Sequence, residues 1–297
     1  MMIPLLDAYR IKIERELQKS IEQMGEPSRL RDACSFALLN GGKRLRPILV
    51  LLVAEALPKK RDVMSAALCV EYFHTASLIA DDLPCMDNDD VRRNKPALHK
   101  EFEESVAILA SYTLIAAGYG GIYETSRALK ERQPDEKMQI DTAAGICLET
   151  VTRCAGLRGA TFGQYLDLFP PDLQFETLYS IIQRKTGTLF EISFVLGWLF
   201  GGGTLDRLEE VKRCANHFGA AFQLADDLDD FQQDKDQASR MNVARAIGIE
   251  PARKLMLDEC GAFIRSLESL GLVNEAFRQI GRKLTGPGVA EPVFEKH

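Results

Sequence analysis

Five aspartates stand within ten residues, at Asp81, Asp82, Asp87, Asp89 and Asp90, and a second acidic cluster lies far downstream at Asp226, Asp227, Asp229, Asp230 and Asp234. Each cluster follows an apolar, helix-like segment, Ala66 to Ala80 in one case and Cys214 to Ala225 in the other. Negative charge gathered at a helix end repels itself and opposes the helix dipole. Cations between the carboxylates relieve both penalties. Oxygen-only ligands point to Mg2+ rather than zinc, and Mg2+ held by one or two carboxylates usually shares its shell with substrate phosphates. Two solvated acidic loops are the plain alternative for either cluster alone.

The spacing places the carboxylates. Pro84 cannot continue a helix comfortably, so Asp81 and Asp82 fall on a last turn and the loop Leu83 to Met86 brings Asp87 back toward them. Asp226 and Asp230 are four apart and share a helix face. If the two helices face each other, their carboxylates form opposite walls of one mouth, and metals between them would bridge a diphosphate. Basic residues are grouped to suit such a ligand. Gly41 to Pro47 (GGKRLRP) is a flexible loop with three cations, stopped by a proline suited to a first helical turn. Arg92 and Arg93 follow the first cluster, with Lys95, His99 and Lys100 beyond. Arginine forks grip phosphate oxygens in pairs, and lysine adds a point charge. His74 lies two turns before Asp81 on the same face, where a lone histidine is more often a core residue than a ligand. Lys185, Thr186 and Gln223 interrupt apolar helices, and buried polar groups need partners. No serine or cysteine is set beside a histidine as a nucleophile, and Gly41-Gly42 follows a helix rather than the strand that a phosphate loop requires.

The elements that must hold these residues are helical. Apolar residues recur three and four apart over Leu5–Met24, Ser28–Leu39, Pro47–Leu57, Met64–Leu83, Val106–Lys130, Lys137–Cys154, Gln174–Phe200, Leu205–Phe231, Ala244–Leu270 and Asn274–Leu284. Breakers separate them at Gly41-Gly42, Pro58, Pro84, Pro134, Pro170-Pro171 and Gly201 to Gly203. No linker divides the 297 residues, so the expectation is a single all-α domain over 1–297, with ten or more helices around a central cavity. A net charge of -6 argues against nucleic acid as the main partner. Seven scattered cysteines without metal-ligand spacing fit a reduced cytoplasmic interior. Charged residues break the N-terminal apolar run, and the longest apolar stretch, Ile192 to Gly203, is too short to span a bilayer, so no signal peptide and no transmembrane segment is expected.

With these residues in place, the chain closely resembles the trans-isoprenyl diphosphate synthases, the enzymes that make farnesyl and geranylgeranyl diphosphate. The resemblance covers nearly the whole chain and rests on Gly41 to Pro47, Asp81 to Arg93 (DDLPCMDNDDVRR), Gly163-Gln164 with Asp167, Lys185-Thr186-Gly187 and Phe222 to Asp230 (FQLADDLDD), in the family's order. It implies an all-helical homodimer that condenses isopentenyl diphosphate with an allylic diphosphate, using three Mg2+ ions in the active site. By matching position, Asp81, Asp87 and Asp226 would ligate metal, with Asp82 and Asp230 in support. Lys43, Arg46, His74 and Arg93 would hold isopentenyl diphosphate. Arg92 and Lys185 would contact the allylic diphosphate, and Thr186 and Gln223 would steady the allylic cation by their dipoles.

The chain departs from the family pattern at three places. The loop after the second acidic cluster is shortened, with Arg240 standing where a later lysine is usual and so a further candidate for the allylic diphosphate. Ala110-Ser111-Tyr112 replaces an alanine-glycine-aspartate, and Ala80 replaces a polar residue before the aspartate pair. Product length in this family resembles a depth problem, its floor set on the helix below the first cluster. Ala76 lies roughly 7.5 Å down from Asp81 at about 1.5 Å per residue, with Ser77 beside it. Alanine leaves room, which favours a C20 product over C15, while Tyr112 from a neighbouring helix could close the space again. A non-catalytic regulatory subunit and a terpene cyclase or head-to-head synthase of the same fold are the rivals. Both complete acidic clusters count against the first, and Lys43, Arg46 and Arg93 count against the second.

Overall fold

The computed structural model describes residues 4–233 and 242–285. In chain order its helices are α1 (Pro4–Glu22), α2 (Arg29–Leu38), α3 (Leu45–Ala56), α4 (Met64–Asp81), α5 (Leu98–Phe102), α6 (Glu104–Arg132), α7 (Lys137–Ala155), α8 (Ala160–Leu168), α9 (Phe175–Ile181), α10 (Thr188–Gly201), α11 (Leu208–Gln233), α12 (Val243–Ile247), α13 (Ile249–Leu270) and α14 (Glu275–Thr285). Among the described residues the only strands are β1 (Val91–Arg92) and β2 (Lys95–Pro96), an antiparallel hairpin between α4 and α5. The architecture is all-α, as the periodicity predicts.

α10 is the hub. Its sequence is apolar nearly all round, with Glu191 paired to Arg153, so it is stable where it is covered on every side, and each of its residues is buried, against α3, α4, α7 and α11. Phe190 and Phe194 on this helix meet Phe218 of α11 and Phe263 of α13 in a chain of ring contacts, with Phe190 and Phe218 edge-to-face at 4.8 Å. Each such side chain contributes about 1.5–3 kcal/mol by burial, and well-set ring pairs add about 0.5–1.5 kcal/mol.

Several features differ from the expected elements: Ala244–Leu270 divides at Gly248 into α12 and α13, α5 and α8 are additional, and two further differences bear on the site. The run Gln174–Phe200 is not one helix: a π-helical turn, Ile182–Gly187, separates α9 from α10. Arg44, one of three cations assigned by spacing to a phosphate loop, faces inward instead. It starts α3 at a positive φ of 51°, donates to the Leu38 carbonyl at 2.5 Å and pairs with buried Glu71 of α4. That pair locks the α2–α3 turn onto α4, and losing one partner would cost about 3–5 kcal/mol.

α6 lies along α4 with its inner face buried. By length and composition alone it could cross a membrane, a property the sequence reading gave to no segment. Its outer face exposes Ile108, Leu109, Tyr112 and Ile115, spaced as one helical stripe.

Candidate active site

α4 ends at Asp81, and the following turn closes through bonds from the Met86 and Asn88 amides to the Leu83 carbonyl. The Asp87 amide then donates to the Asp81 carbonyl at 2.9 Å, which brings Asp87 beside Asp81 as the spacing predicts. Gln164 of α8 reaches across to this loop, its Nε2 donating to Asp87 Oδ1 at 3.2 Å. Burial, more than any neighbour, pushes the pKa of Asp81 up to about 6; Asp87 and Asp82 add to this, and Lys185 and Arg92 oppose it. On α11, burial likewise pushes Asp226 up to about 6, with Asp230, Asp229 and Asp227 adding and Lys43 opposing.

The second aspartate of each pair turns inward. Asp82 is buried and accepts from Arg92, whose Nε lies 2.8 Å from its Oδ1; Arg92 also bonds Asp89 at 2.9 Å. Asp227 is buried too, accepting from Gln223 Nε2 at 3.0 Å and from the Val243 amide at 2.8 Å. Asp82 was expected to support metal. Its Oδ1 is held by Arg92, so the carboxylate also anchors the arginine.

Lys185 sits between the clusters. It pairs with Asp167 of α8 at 2.5 Å, and although burial works against its charge, Asp167, Asp81 and Asp87 together raise its pKa. The π turn that carries it can approach α8 closely because residue 163 is glycine: a Cβ there would overlap the Lys185 backbone. Next in the chain, Thr186 Oγ1 donates to Gln223 Oε1 at 3.1 Å. Lys185, Thr186, Gln223, Asp167 and Asp230 line one cavity of about 200 Å3.

The group expected to hold isopentenyl diphosphate also converges. His74 Nε2 is 3.2 Å from Arg46 Nη1, and Arg46 lies over the Phe190 ring at 4.6 Å. Burial, then Arg46, Arg93, Arg44 and Arg92 in turn, hold the His74 pKa well below the histidine range. Arg93 donates from Nη1 to the Gly41 carbonyl. Arg46 Nε, His74 Nδ1 and Gln164 Oε1 are buried without a hydrogen-bond partner. Polar atoms left so are costly unless a ligand meets them. Lys43 is exposed and near Asp226 rather than drawn into the Arg46–His74 group.

Below the first cluster, Ala76 and Ser77 lie on different faces of α4. His74, Ser77 and Asp81 share the half-exposed side of α4, while Ala76 is only 2% exposed and its carbonyl accepts from Ser111 Oγ of α6 at 3.0 Å. Tyr112 follows Ser111 by about 100° of helical turn and is 64% exposed. Arg240 and the shortened loop lie outside the described residues. The sequence reading gave no role to Gln164, Asp167 or Asp227, although all three stand within quoted motifs.

Among the described residues, no three Asp, Glu, His or Cys groups form a ready-made metal cage. Asp81, Asp87, Asp226 and Asp230 instead offer oxygen donors singly and in pairs, a set that fits Mg2+ completing its shell on phosphate oxygens.

An all-helical bundle that carries aspartate clusters on two separate helices, each with cationic side chains nearby, is of the class of isoprenoid synthases. The profile of the polyprenyl synthetase family matches residues 27–242, and the chain belongs to that family and is a prenyltransferase. It is 35% identical over 246 residues to geranylgeranyl pyrophosphate synthase 11, chloroplastic, of Arabidopsis thaliana, covering 77% of this chain and 66% of that one. It is 34% identical over 269 residues to the heterodimeric geranylgeranyl pyrophosphate synthase large subunit 2 of the same plant, covering 84% and 68%. The chain thus spans about two thirds of the length of these relatives. The crystal structure of an FPP/GFPP synthase from Zymomonas mobilis superposes with a TM-score of 0.80 at 27% identity, over 96% of this chain and 100% of that one.

Proposed function

We propose that the chain, as a single catalytic domain, joins isopentenyl diphosphate head-to-tail to allylic diphosphates and stops at geranylgeranyl diphosphate. The observation that carries this reading is the pair Asp81 and Asp226, half-buried carboxylates on separate helices, α4 and α11, each beside further aspartates. Mg2+ held by Asp81, Asp87 and Asp226, with Asp230 alongside, would neutralise the allylic diphosphate and ease cleavage of its C1–O bond. Lys185 and Arg92 grip the departing pyrophosphate, and Arg240 is a further candidate for that role. Thr186 and Gln223 turn oxygen dipoles toward the allylic cation. Arg46, His74 and Arg93, with Lys43 at the rim, hold isopentenyl diphosphate so that its double bond attacks C1 of the cation. A new carbon–carbon bond forms, and the proton lost next passes to the released pyrophosphate. No side-chain base is required.

Ser77, half-buried on α4 four residues before Asp81, is a side chain on which a growing tail would rest, and its small size supports C20 over C15. The apolar stripe on α6 supports a homodimer, which sedimentation would test. The cytoplasm is the compartment we assign, and fractionation tests it. The direct experiment is product analysis with Mg2+, labelled isopentenyl diphosphate and dimethylallyl, geranyl or farnesyl diphosphate in parallel. A C20 product from farnesyl diphosphate is the expected result. Arrest at C15 would replace the product assignment, and no elongation from any primer would overturn the proposal.

A further inference from the structure

The hairpin that carries Arg92 and Arg93 is poorly supported by its own bonds. Its strands are two residues each, and both loop residues, Arg93 and Asn94, sit at positive φ (55° and 63°). Positive φ at both positions suits a two-residue hairpin loop but is unfavourable for arginine. Something outside must hold it.

Asn40 does so. It ends the α2–α3 approach, is buried, and its Nδ2 donates to the Arg92 backbone carbonyl at 3.2 Å. The next residue, Gly41, gives its carbonyl to the Arg93 guanidinium, and that guanidinium packs so closely on Gly42 that a Cβ there would lie 2.5 Å from Cζ. One side chain therefore fixes the hairpin backbone at Arg92 in the same register that seats Arg93 on the glycine loop. Asn40, Asp82, Arg92 and Arg93 line a single small pocket. We propose that Asn40 is a positioning residue which sets both arginines at once, and so couples the two diphosphate sites. This rests on the assignment of Arg92 to the allylic diphosphate and Arg93 to isopentenyl diphosphate.

The test compares the unsubstituted chain with Asn40→Ala and Asn40→Asp. The aspartate keeps the volume of the side chain and removes the donor, so it serves if the alanine variant fails to fold. One hydrogen bond of ordinary strength corresponds to about a fivefold change in an equilibrium constant. The expected result is a rise of about fivefold in the KM of both substrates, with kcat and Tm little changed. Unchanged KM values, with or without a lower Tm, would make Asn40 merely structural and overturn the proposal, as would a rise confined to one substrate. Isopentenyl diphosphate binding, measured by calorimetry in EDTA, gives a readout independent of turnover and should weaken by about fivefold in both variants. If the unsubstituted chain binds but does not turn over, the proposed function fails, and this binding comparison still decides the role of Asn40. Equal binding by all three proteins, or none by the unsubstituted chain, overturns it.

Discussion

His74 Nε2 faces Arg46 Nη1 at 3.2 Å, and because a guanidinium only donates, the imidazole must accept there and carry its proton on Nδ1. The folded protein therefore holds His74 neutral, with a pKa far below the unfolded value of about 6.5. Below that value the unfolded chain binds a proton that the folded chain refuses, so the contribution of His74 to stability is present above about pH 6.5 and is lost as pH falls. His74→Gln should flatten the fall in Tm between pH 6.5 and pH 5. A slope equal to that of the unsubstituted chain would refute the assigned tautomer and charge state.

Asp81 and Asp226 carry the opposite sign. Their folded pKa values, about 6, stand above the ordinary carboxylate value, so their share of stability is present at low pH and lost as pH rises through about 6. Mg2+ should recover that loss. The gain in Tm on adding Mg2+ is expected to grow from pH 5 to pH 7.5, and at 100 times Kd it corresponds to about 2.7 kcal/mol. Asp81→Asn should raise Tm without Mg2+ at pH 7.5 and shrink the Mg2+ gain. A gain independent of pH would argue that the ion binds elsewhere.

The two aspartates of the first pair should separate in kinetics. Asp81→Ala and Asp226→Ala are expected to lower kcat by at least about 10³-fold, the scale of losing a principal electrostatic group. Asp82→Asn weakens the buried anchor of Arg92, whose bond to Asp89 remains, and leaves the outward carboxylates in place. It should raise the KM for the allylic diphosphate while the Mg2+ gain in Tm survives. Loss of that gain in Asp82→Asn would return Asp82 to the metal.

Product length offers a contrast between adjacent residues. Ser77→Phe, on the half-exposed face of α4, should shorten the main product by at least one isoprene unit. Ala76→Phe pushes into the α4–α6 contact and should instead cost about 1–3 kcal/mol of stability. Chain-length analysis beside thermal unfolding decides the matter, and an Ala76→Phe protein that is stable with a shortened product would make Ala76 the floor.

Gly163→Ala drives a methyl into the backbone at Lys185. It should lower stability by about 1–3 kcal/mol and raise the KM for the allylic substrate, since Lys185 rides on the displaced turn. Unaltered kinetics would mean that α8 and the π turn can part without consequence.

Much of this arrangement was legible in the sequence, and the parts that were not share a cause. Helical periodicity locates α4 to within two residues and α11 to within three, and Pro84 foretells the turn that returns Asp87 to Asp81. Spacing could not tell Arg44 from its neighbours, because its inward course depends on buried Glu71, 27 residues away. The π turn at Ile182–Gly187 escaped because one extra residue per turn barely disturbs an apolar pattern that is buried on both sides. α5 and α8 are too short for periodicity to register. Asp82 and Asp227 were read as members of clusters, and only the contacts to Arg92 and Val243 reveal their separate work.

That inward turn of the second aspartate has a consequence for reading divergent copies of this chain. Asp82 and Asp227 are fastened to the scaffold, whereas the proposed role of Asp81 and Asp226 is to hold the metal. Genetic drift in a copy released from catalysis should therefore erase the outward pair first and spare the inward one. A descendant that keeps residues equivalent to Asp82 and Asp227 but has lost those equivalent to Asp81 and Asp226 would still fold and still display the α6 stripe, while making nothing.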